Sequence, residues 1–337
     1  MMRAGKQFII FSFLLLGSYT VFGQEDDYTQ YYLNLPAINA AYTGMDDYFN
    51  MNTGVREGWN NFGVENSNLY LSAFGALNSA NRSGRRNNSL RTSNPQIFDE
   101  IQSDKKFRRR HGVGGMITSR TVGPYKSFGA FANYAYHLPL TARLNVSLGT
   151  RLGYTSQRID FMGLTVRDEV NDLFYQNLLQ SQQGTQNSFL VDFGTILYSQ
   201  KFYFGISTSN LMVERLNGDQ LFNLNEGVIY RVHSGAVFAL SPTLDISPAV
   251  SATYQESYDV QWVANIRLRY KNLISLGSGY TSDSKISILV GLTTTNLSIN
   301  YAYDIYTSDL SDFNVNAHEL VLGISLFNKY KLKPRFW

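Results

Sequence analysis

From residue 49 to residue 327 apolar and polar side chains alternate, in stretches that recur at nearly regular intervals. In residues 143–154, Leu144, Val146, Leu148, Thr150, Leu152 and Tyr154 share one parity, while Arg143, Asn145, Ser147, Gly149, Arg151 and Gly153 share the other. A helix would scatter both sets around its circumference, whereas a strand puts them on opposite faces. In residues 260–270, Val260, Trp262, Ala264, Ile266, Leu268 and Tyr270 oppose Gln261, Asn265, Arg267 and Arg269. Leu244, Ile246, Val250 and Tyr254 oppose Asp245, Ser247, Ser251 and Thr253 in the same way. Further on, Leu297, Ile299, Tyr301 and Tyr303 oppose Ser298, Asn300 and Asp304, and Leu320, Leu322, Ile324 and Leu326 oppose Glu319, Gly323 and Ser325.

The pattern defines segments at 49–59, 66–76, 111–120, 127–137, 142–156, 188–198, 201–210, 226–240, 243–254, 259–270, 272–280, 284–293, 296–304 and 317–327. Most are about nine to thirteen residues long, the length that a tilted strand needs to cross a bilayer. An even count suits a barrel with both termini on one side of the membrane. The expectation is an all-β chain, a transmembrane antiparallel up-and-down barrel of about 14 strands, within a range of about twelve to sixteen.

The connections should then alternate between short turns on the side of the termini and longer loops opposite. Residues 138–141, 199–200, 241–242, 271 and 294–295 are tight, while 157–187, 211–225 and 305–316 are longer and polar. Segment 77–110 breaks the alternation, being long where a short periplasmic turn is expected.

Composition agrees with a barrel. Charged residues make up 16% and aromatic residues 14% of the chain. No stretch after the N-terminal region approaches the ~18 uninterrupted apolar residues of a membrane helix. The N-terminus itself reads as a secretory signal: Arg3 and Lys6 precede an apolar run from Phe8 to Leu16, and Val21 and Gly23 suit a cleavage site. The organisation expected is a signal over 1–23, a periplasmic or plug segment over 24–48, the barrel over 49–327 and a basic tail over 328–337. The chain has no cysteine, which excludes disulfides, thiolate metal sites, a cysteine nucleophile and a lipid-modified cysteine after the signal.

Removing Arg3 and Lys6 with the signal lowers the formal charge of +3 only slightly, and so near-neutral a balance gives no support to nucleic-acid binding. The basic residues are instead concentrated in 77–110: Arg82, Arg85, Arg86, Arg91, Lys105, Lys106, Arg108, Arg109 and Arg110 against Asp99, Glu100 and Asp104. Such a block is either a solvated loop or a docking surface for an acidic periplasmic partner or lipid phosphates.

Catalytic and metal-binding signals are weak, and the expectation is a protein that is not an enzyme and takes no cofactor. His318-Glu319 starts like a zinc-protease motif, but Leu322 stands where its second histidine belongs. Gly112-Val113-Gly114-Gly115 falls in a strand with no helix after it, which excludes a phosphate cradle. His111, His137, His233 and His318 share no metal-ligand spacing. Arg143, Arg151, Asp192, Arg231, Asp245, Arg267, Arg269 and Glu319 fall on the inward parity, as a lumenal ion-pair network or a pore lining. Tyr134, Tyr136, Tyr154, Tyr254, Tyr270, Tyr280, Tyr301 and Tyr303 lie near segment ends, where amphipathic rings suit the membrane interface.

Several short blocks occur in a fixed order. Gln30-Tyr31-Tyr32-Leu33-Asn34 precedes Ile38-Asn39-Ala40-Ala41-Tyr42-Thr43-Gly44, and Arg56 and Trp59 follow. Residues 111–116 lead to Gly123-Pro124 and Tyr134-Ala135-Tyr136-His137; near the end come Asn300-Tyr301-Ala302-Tyr303-Asp304 and Ala317-His318-Glu319-Leu320. In this order the chain resembles the PorP/SprF family of outer-membrane proteins of type IX secretion and gliding motility, from about residue 28 to 326. It departs from the family pattern at Ala40, usually a proline, at Ala317, usually a serine, and in the tail beyond residue 327.

The resemblance implies a non-enzymatic outer-membrane role in secretion or surface retention of adhesins through their C-terminal domain. The partners it implies are such cargo, or periplasmic ring subunits and lipoproteins of the apparatus. It also marks Gln30, Tyr31, Asn34, Asn39, Tyr42, Gly44, Tyr303, Asp304, His318 and Glu319 as family-motif positions. The segment 30–44 is expected to be a plug or a structural brace. A passive diffusion channel is the other function the pattern allows.

Overall fold

The computed structural model describes residues 28–46, 48–58, 65–77, 109–141, 143–160, 185–217, 227–256, 258–307 and 316–328. The signal over 1–23, Trp59, the basic segment from Arg82 to Arg108 and the tail from residue 329 lie outside the described residues.

The alternating segments form strands β1 (Phe49–Gly58), β2 (Asn66–Ala76), β3 (Arg110–Val122), β4 (Tyr125–Pro139), β5 (Asn145–Ile159), β6 (Thr185–Tyr198) and β7 (Phe202–Asn217). They continue as β8 (Ile229–Ala236), β9 (Phe238–Ser241), β10 (Leu244–Gln255), β11 (Gln261–Tyr270), β12 (Ile274–Thr281), β13 (Lys285–Thr293), β14 (Leu297–Tyr306) and β15 (Asn316–Leu326). Strands pair antiparallel in chain order, with β10 pairing both β8 and β9, and β1 pairs with β15 from Phe49↔Leu326 to Gly58↔Ala317, which closes the sheet. β8 and β9 are two pieces of one stave interrupted at Val237, so the closed wall is a barrel of 14 strands. Closure leaves no edge within the wall, the condition for a sheet that spans hydrocarbon.

Side chains obey the alternation. In β11, Trp262, Ile266, Leu268 and Tyr270 are 40 to 49% exposed, while Asn265, Arg267 and Arg269 between them are buried. The apolar parity points away from the barrel and the polar parity into it, the reverse of a soluble sandwich. Tyr134, Tyr254, Tyr270, Tyr280 and Tyr301 all point outward, and Tyr230 stacks on Tyr254 while Trp262 tilts against Tyr280.

Two expectations need correction. Arg143 is not an inward strand residue: β5 begins only at Asn145, and Arg143 lies exposed in the preceding turn, its N–H bonded to Thr141 Oγ1. The 211–225 stretch is not all loop, because β7 runs on to Asn217. Asn210 adopts φ 56°, and the register with β6 shifts between Val191 and Phe193, so a bulge carries the strand past a point where the alternation lapses. Beyond Ser209, β7 pairs with β6 but no longer with β8.

The rim holding the start of β1 and the end of β15, called proximal here, carries short connections apart from residues 77–109. The opposite, distal rim carries the longer ones.

The plugged lumen, a candidate functional site

Residues 28–46 lie inside the barrel. They form a 3₁₀ turn (Tyr31–Asn34), a single α-helical turn, α1 (Leu35–Ile38), and a second 3₁₀ turn (Ala40–Tyr42). Pro36 in the first turn of α1 supplies a helical φ without needing an N–H partner. Asn39 ends that turn and starts the next, its Oδ1 accepting the Ala41 N–H at 2.9 Å. Gly44 takes φ 75°, a left-handed conformation that turns the segment toward β1. The segment therefore doubles back in short turns, which fits an enclosed space.

Short turns leave most backbone carbonyls without internal partners, and a buried carbonyl must find one. The wall supplies them. Asn265 Nδ2 donates to Thr29 O at 3.2 Å, Asn52 Nδ2 to Leu33 O at 3.4 Å, and Asn133 Nδ2 to Pro36 O at 2.9 Å. Arg151 Nη1 donates to Ala37 O at 2.5 Å, Ser207 Oγ to Ile38 O at 3.0 Å and Arg110 Nη2 to Met45 O at 3.1 Å. His137 Nε2 donates to Thr43 O at 2.8 Å, which fixes its tautomer, and Nδ1 accepts from Tyr198 Oη at 2.9 Å. Asn39 reaches outward too, its Nδ2 donating to Thr195 O and Ile206 O of the wall.

Charge anchors the distal end of the segment. Glu319 of β15 accepts the Thr29 N–H at 2.8 Å and the Gln30 N–H at 3.1 Å, and Thr29 Oγ1 donates to Asp304 Oδ2 at 2.7 Å. Arg56 of β1 bridges both carboxylates, and Lys285 approaches Asp304 at 4.0 Å. Asp304 and Glu319 have no solvent exposure, so the balance of two acids and two cations is what makes their burial tolerable. A second pair, Arg151 Nε to Asp192 Oδ2 at 2.5 Å, braces the wall beside Ala37.

Rings fill the remaining space. Tyr31, Tyr32, Leu33, Leu35, Ala41, Tyr42 and Met45 form one core with wall residues Tyr70, Ile196, Tyr198 and Tyr203. Tyr42 meets Tyr203 edge to face at 5.6 Å, and the Arg267 guanidinium lies 4.5 Å over the Tyr32 ring. Burial pushes the phenols of Tyr31 and Tyr42 well above their usual range, with neighbouring Tyr203 adding to the effect. Glycines bring the wall close: a Cβ on Gly149 would strike the backbone of Ala40 and Ala41, and one on Gly112 the backbone of Thr43.

Most of the positions that the resemblance marks meet in one place. Gln30, Tyr31, Asn34, Asn39, Tyr42 and Gly44 belong to the plug; Arg56, Asp304 and Glu319 are its ion-paired anchors. Tyr303 and His318, by contrast, face outward. Of the inward charges expected from the alternation, Arg151, Asp192, Arg267 and Glu319 act on the plug or its seat, while Asp245 and Arg269 pair with each other at 3.3 Å. Arg231 lines a cavity of about 250 Å³ above the plug, floored by Tyr28 and Ala37. Among the docking candidates only Arg109 and Arg110 are described, and Arg110 is turned inward to Met45. Alternation marked Asn265 as inward; nothing in the spacing marked it, or Asn52, Asn133 and Ser207, as plug ligands. Among the described residues no cluster of His, Asp and Glu could hold a metal ion.

Residues 20–324 match the model of the type IX secretion system membrane protein family PorP/SprF. The chain belongs to the PorP/SprF family. It is accordingly a membrane protein of the type IX secretion system. Among curated proteins none matches the chain at a significant level. Solved structures with a similar fold include Omp33 of Acinetobacter baumannii, with 9% identity, a TM-score of 0.45, and 83% of this chain and 98% of that one covered. The toluene transporter TodX of Pseudomonas putida aligns with 12% identity and a TM-score of 0.41, over 87% of this chain and 92% of its own. The strand pairing of the PorP/SprF chain itself, closed by β1 on β15, makes this membrane protein a 14-strand antiparallel β-barrel.

Proposed function

We propose that this PorP/SprF protein serves type IX secretion as a closed docking barrel, which supports the secretion or surface attachment of adhesin cargo through protein contacts and conducts no solute. The observation that carries this reading is the plug: residues 28–46 occupy the lumen and are bonded to wall strands β1, β3 to β7, β11, β14 and β15. A diffusion pore needs a continuous water path, and Asp304, Glu319 and Arg56 face the plug where a pore would present them to ions. Short turns are periplasmic and longer loops extracellular in such barrels, which puts the proximal rim in the periplasm. Cargo C-terminal domains would then meet the distal loops, and ring subunits or lipoproteins the proximal rim and the basic segment 77–110. The organisation read from sequence, a cleaved signal followed by plug, barrel and basic tail, is part of this proposal.

Two measurements test it together. Purified protein in planar bilayers should give no steady open-pore conductance, and a deletion strain should lose one or more surface adhesins while the transcripts persist. A constant ohmic conductance with an unchanged surface proteome would replace this reading with the passive channel. Removal of residues 82–108 with envelope pull-downs tests the basic segment; unchanged recovery of partners would remove it from the docking surface.

A further inference from the structure

The cavity of about 250 Å³ lies on the distal side of the plug, walled by β2 to β8. It falls below the ~300 Å³ at which pockets for drug-sized ligands begin, and it has room for a few side chains. The charged side chains that line it are Arg120 of β3, Arg151 of β5, Asp192 of β6 and Arg231 of β8. Asp192 is already paired with Arg151, whose Nη1 also holds the plug at Ala37 O. Three guanidiniums against one carboxylate give the cavity a positive field, which its low-dielectric walls concentrate. Asn68 lines the same space, and its Oδ1 is buried without a hydrogen-bond partner among the described residues. A buried acceptor there calls for a donor.

The floor of the cavity supplies both a donor and an anion. Tyr28 lines it, with its ring edge to face against Tyr70 at 4.8 Å, and the next residue, Thr29, is fixed by Glu319 and Asp304. From there the plug runs down to Gly44 and the proximal start of β1. Whatever precedes Tyr28 therefore begins at the cavity floor. In the sequence that is Gln24-Glu25-Asp26-Asp27, with three carboxylates in succession. At 3.3 to 3.6 Å per extended residue, the three acidic residues reach about 10 Å from Tyr28 at most. Tethered so short, they meet the arginines as an intramolecular ligand, at a high effective concentration.

We infer that the cavity is the binding site of the chain's own acidic segment, residues 25–27: the carboxylates of Glu25, Asp26 and Asp27 pair with Arg120 and Arg231, and a backbone N–H of the segment serves Asn68 Oδ1. The plug is then held at both ends, by Arg110 and His137 at the proximal end and by its own amino-terminal charges at the distal one. A cavity so filled leaves no space for a solute arriving from the distal side. The inference rests on one part of the proposed organisation, the cleaved signal, because the mature chain then begins near Gln24 and its first residues end within the barrel.

The chain has no cysteine, so Thr155→Cys puts a single thiol on the cavity wall. In the full, folded barrel in detergent this thiol should react slowly with a polar maleimide. Neutralising the segment with Glu25→Gln, Asp26→Asn and Asp27→Asn together should speed the reaction about tenfold, and Arg231→Gln should speed it to a lesser degree. A mobility difference between heated and unheated samples on a gel reports that each variant is folded; should Arg231→Gln fail it, the segment variant decides. Intact mass reports cleavage separately, and a retained leader would refute the signal reading and this inference with it. None of these readouts depends on conductance or on surface adhesins, so the docking-barrel reading stands or falls apart from them. Equal labelling rates with and without the three carboxylates would overturn the inference: equally fast rates mean an empty cavity, and equally slow ones a different occupant, such as a distal loop or a bound anion.

Discussion

Glu319 has no contact with solvent, yet its two oxygens serve the Thr29 and Gln30 amides and the Arg56 guanidinium. Replacing it with alanine strands those amides and part of a buried positive charge. The expected loss in Glu319→Ala is about 3 to 5 kcal/mol, whereas Glu319→Gln, which keeps one acceptor, should cost less. Guanidinium unfolding of the refolded barrel measures both. Gly149 makes the complementary case, because there the damage is steric. Gly149→Val would drive a branched Cβ into the Ala40–Ala41 backbone and unseat the plug while leaving the β4–β5–β6 ladder intact. The expected signature is new ion conductance in a barrel that still folds.

At the scale of elements, wall and plug hold together by different means. Strands satisfy their backbone groups among themselves, so the wall should survive loss of the plug. Deleting residues 28–44 should leave a folded barrel with steady conductance; a chain that no longer folds would make the segment a brace instead. Alkaline pH offers a gentler test. Buried Tyr31 and Tyr42 have phenols raised above their unfolded values, so the stability they contribute is complete below about pH 10 and falls as pH climbs above it. Plug release should therefore begin only above about pH 10, followed by phenolate absorbance that lags behind that of the unfolded chain. The same division explains what could be read from sequence. Strands announce themselves because lipid and lumen impose opposite chemistries on successive residues, and the ladder of β11 follows its alternation residue by residue. Arg143 was misplaced because a turn can carry the strand's parity for a residue or two beyond its end. The end of β7 was missed because a bulge at Asn210 hides a strand behind a lapse in pattern. The plug's seat was illegible for a deeper reason: its partners come from most of the strands, and no local period records which inward asparagine meets which carbonyl.

For the whole molecule, closure between β1 and β15 and seating of the plug involve the same residues. Arg56 and Glu319 are opposite each other in that closing ladder, and both touch the chain at Thr29 or beside it. In cells, a plugged barrel serving secretion should leave general permeability unchanged when deleted while surface adhesins disappear, measured by antibiotic uptake and surface proteomics side by side. A Glu319→Ala strain should fall between wild type and deletion.

The meeting of Thr29 with Glu319 also bears on biogenesis. Nearly three hundred residues separate the two, so the charged anchor of the segment is complete only when the last hairpin is in place. A nascent wall that stops short of β15 is both open along its side and unstoppered, and the single step that zips the seam also corks the bore. The cell would thus never carry a finished but leaking cylinder: completion and sealing are one event, and a chain clipped near its end forfeits both.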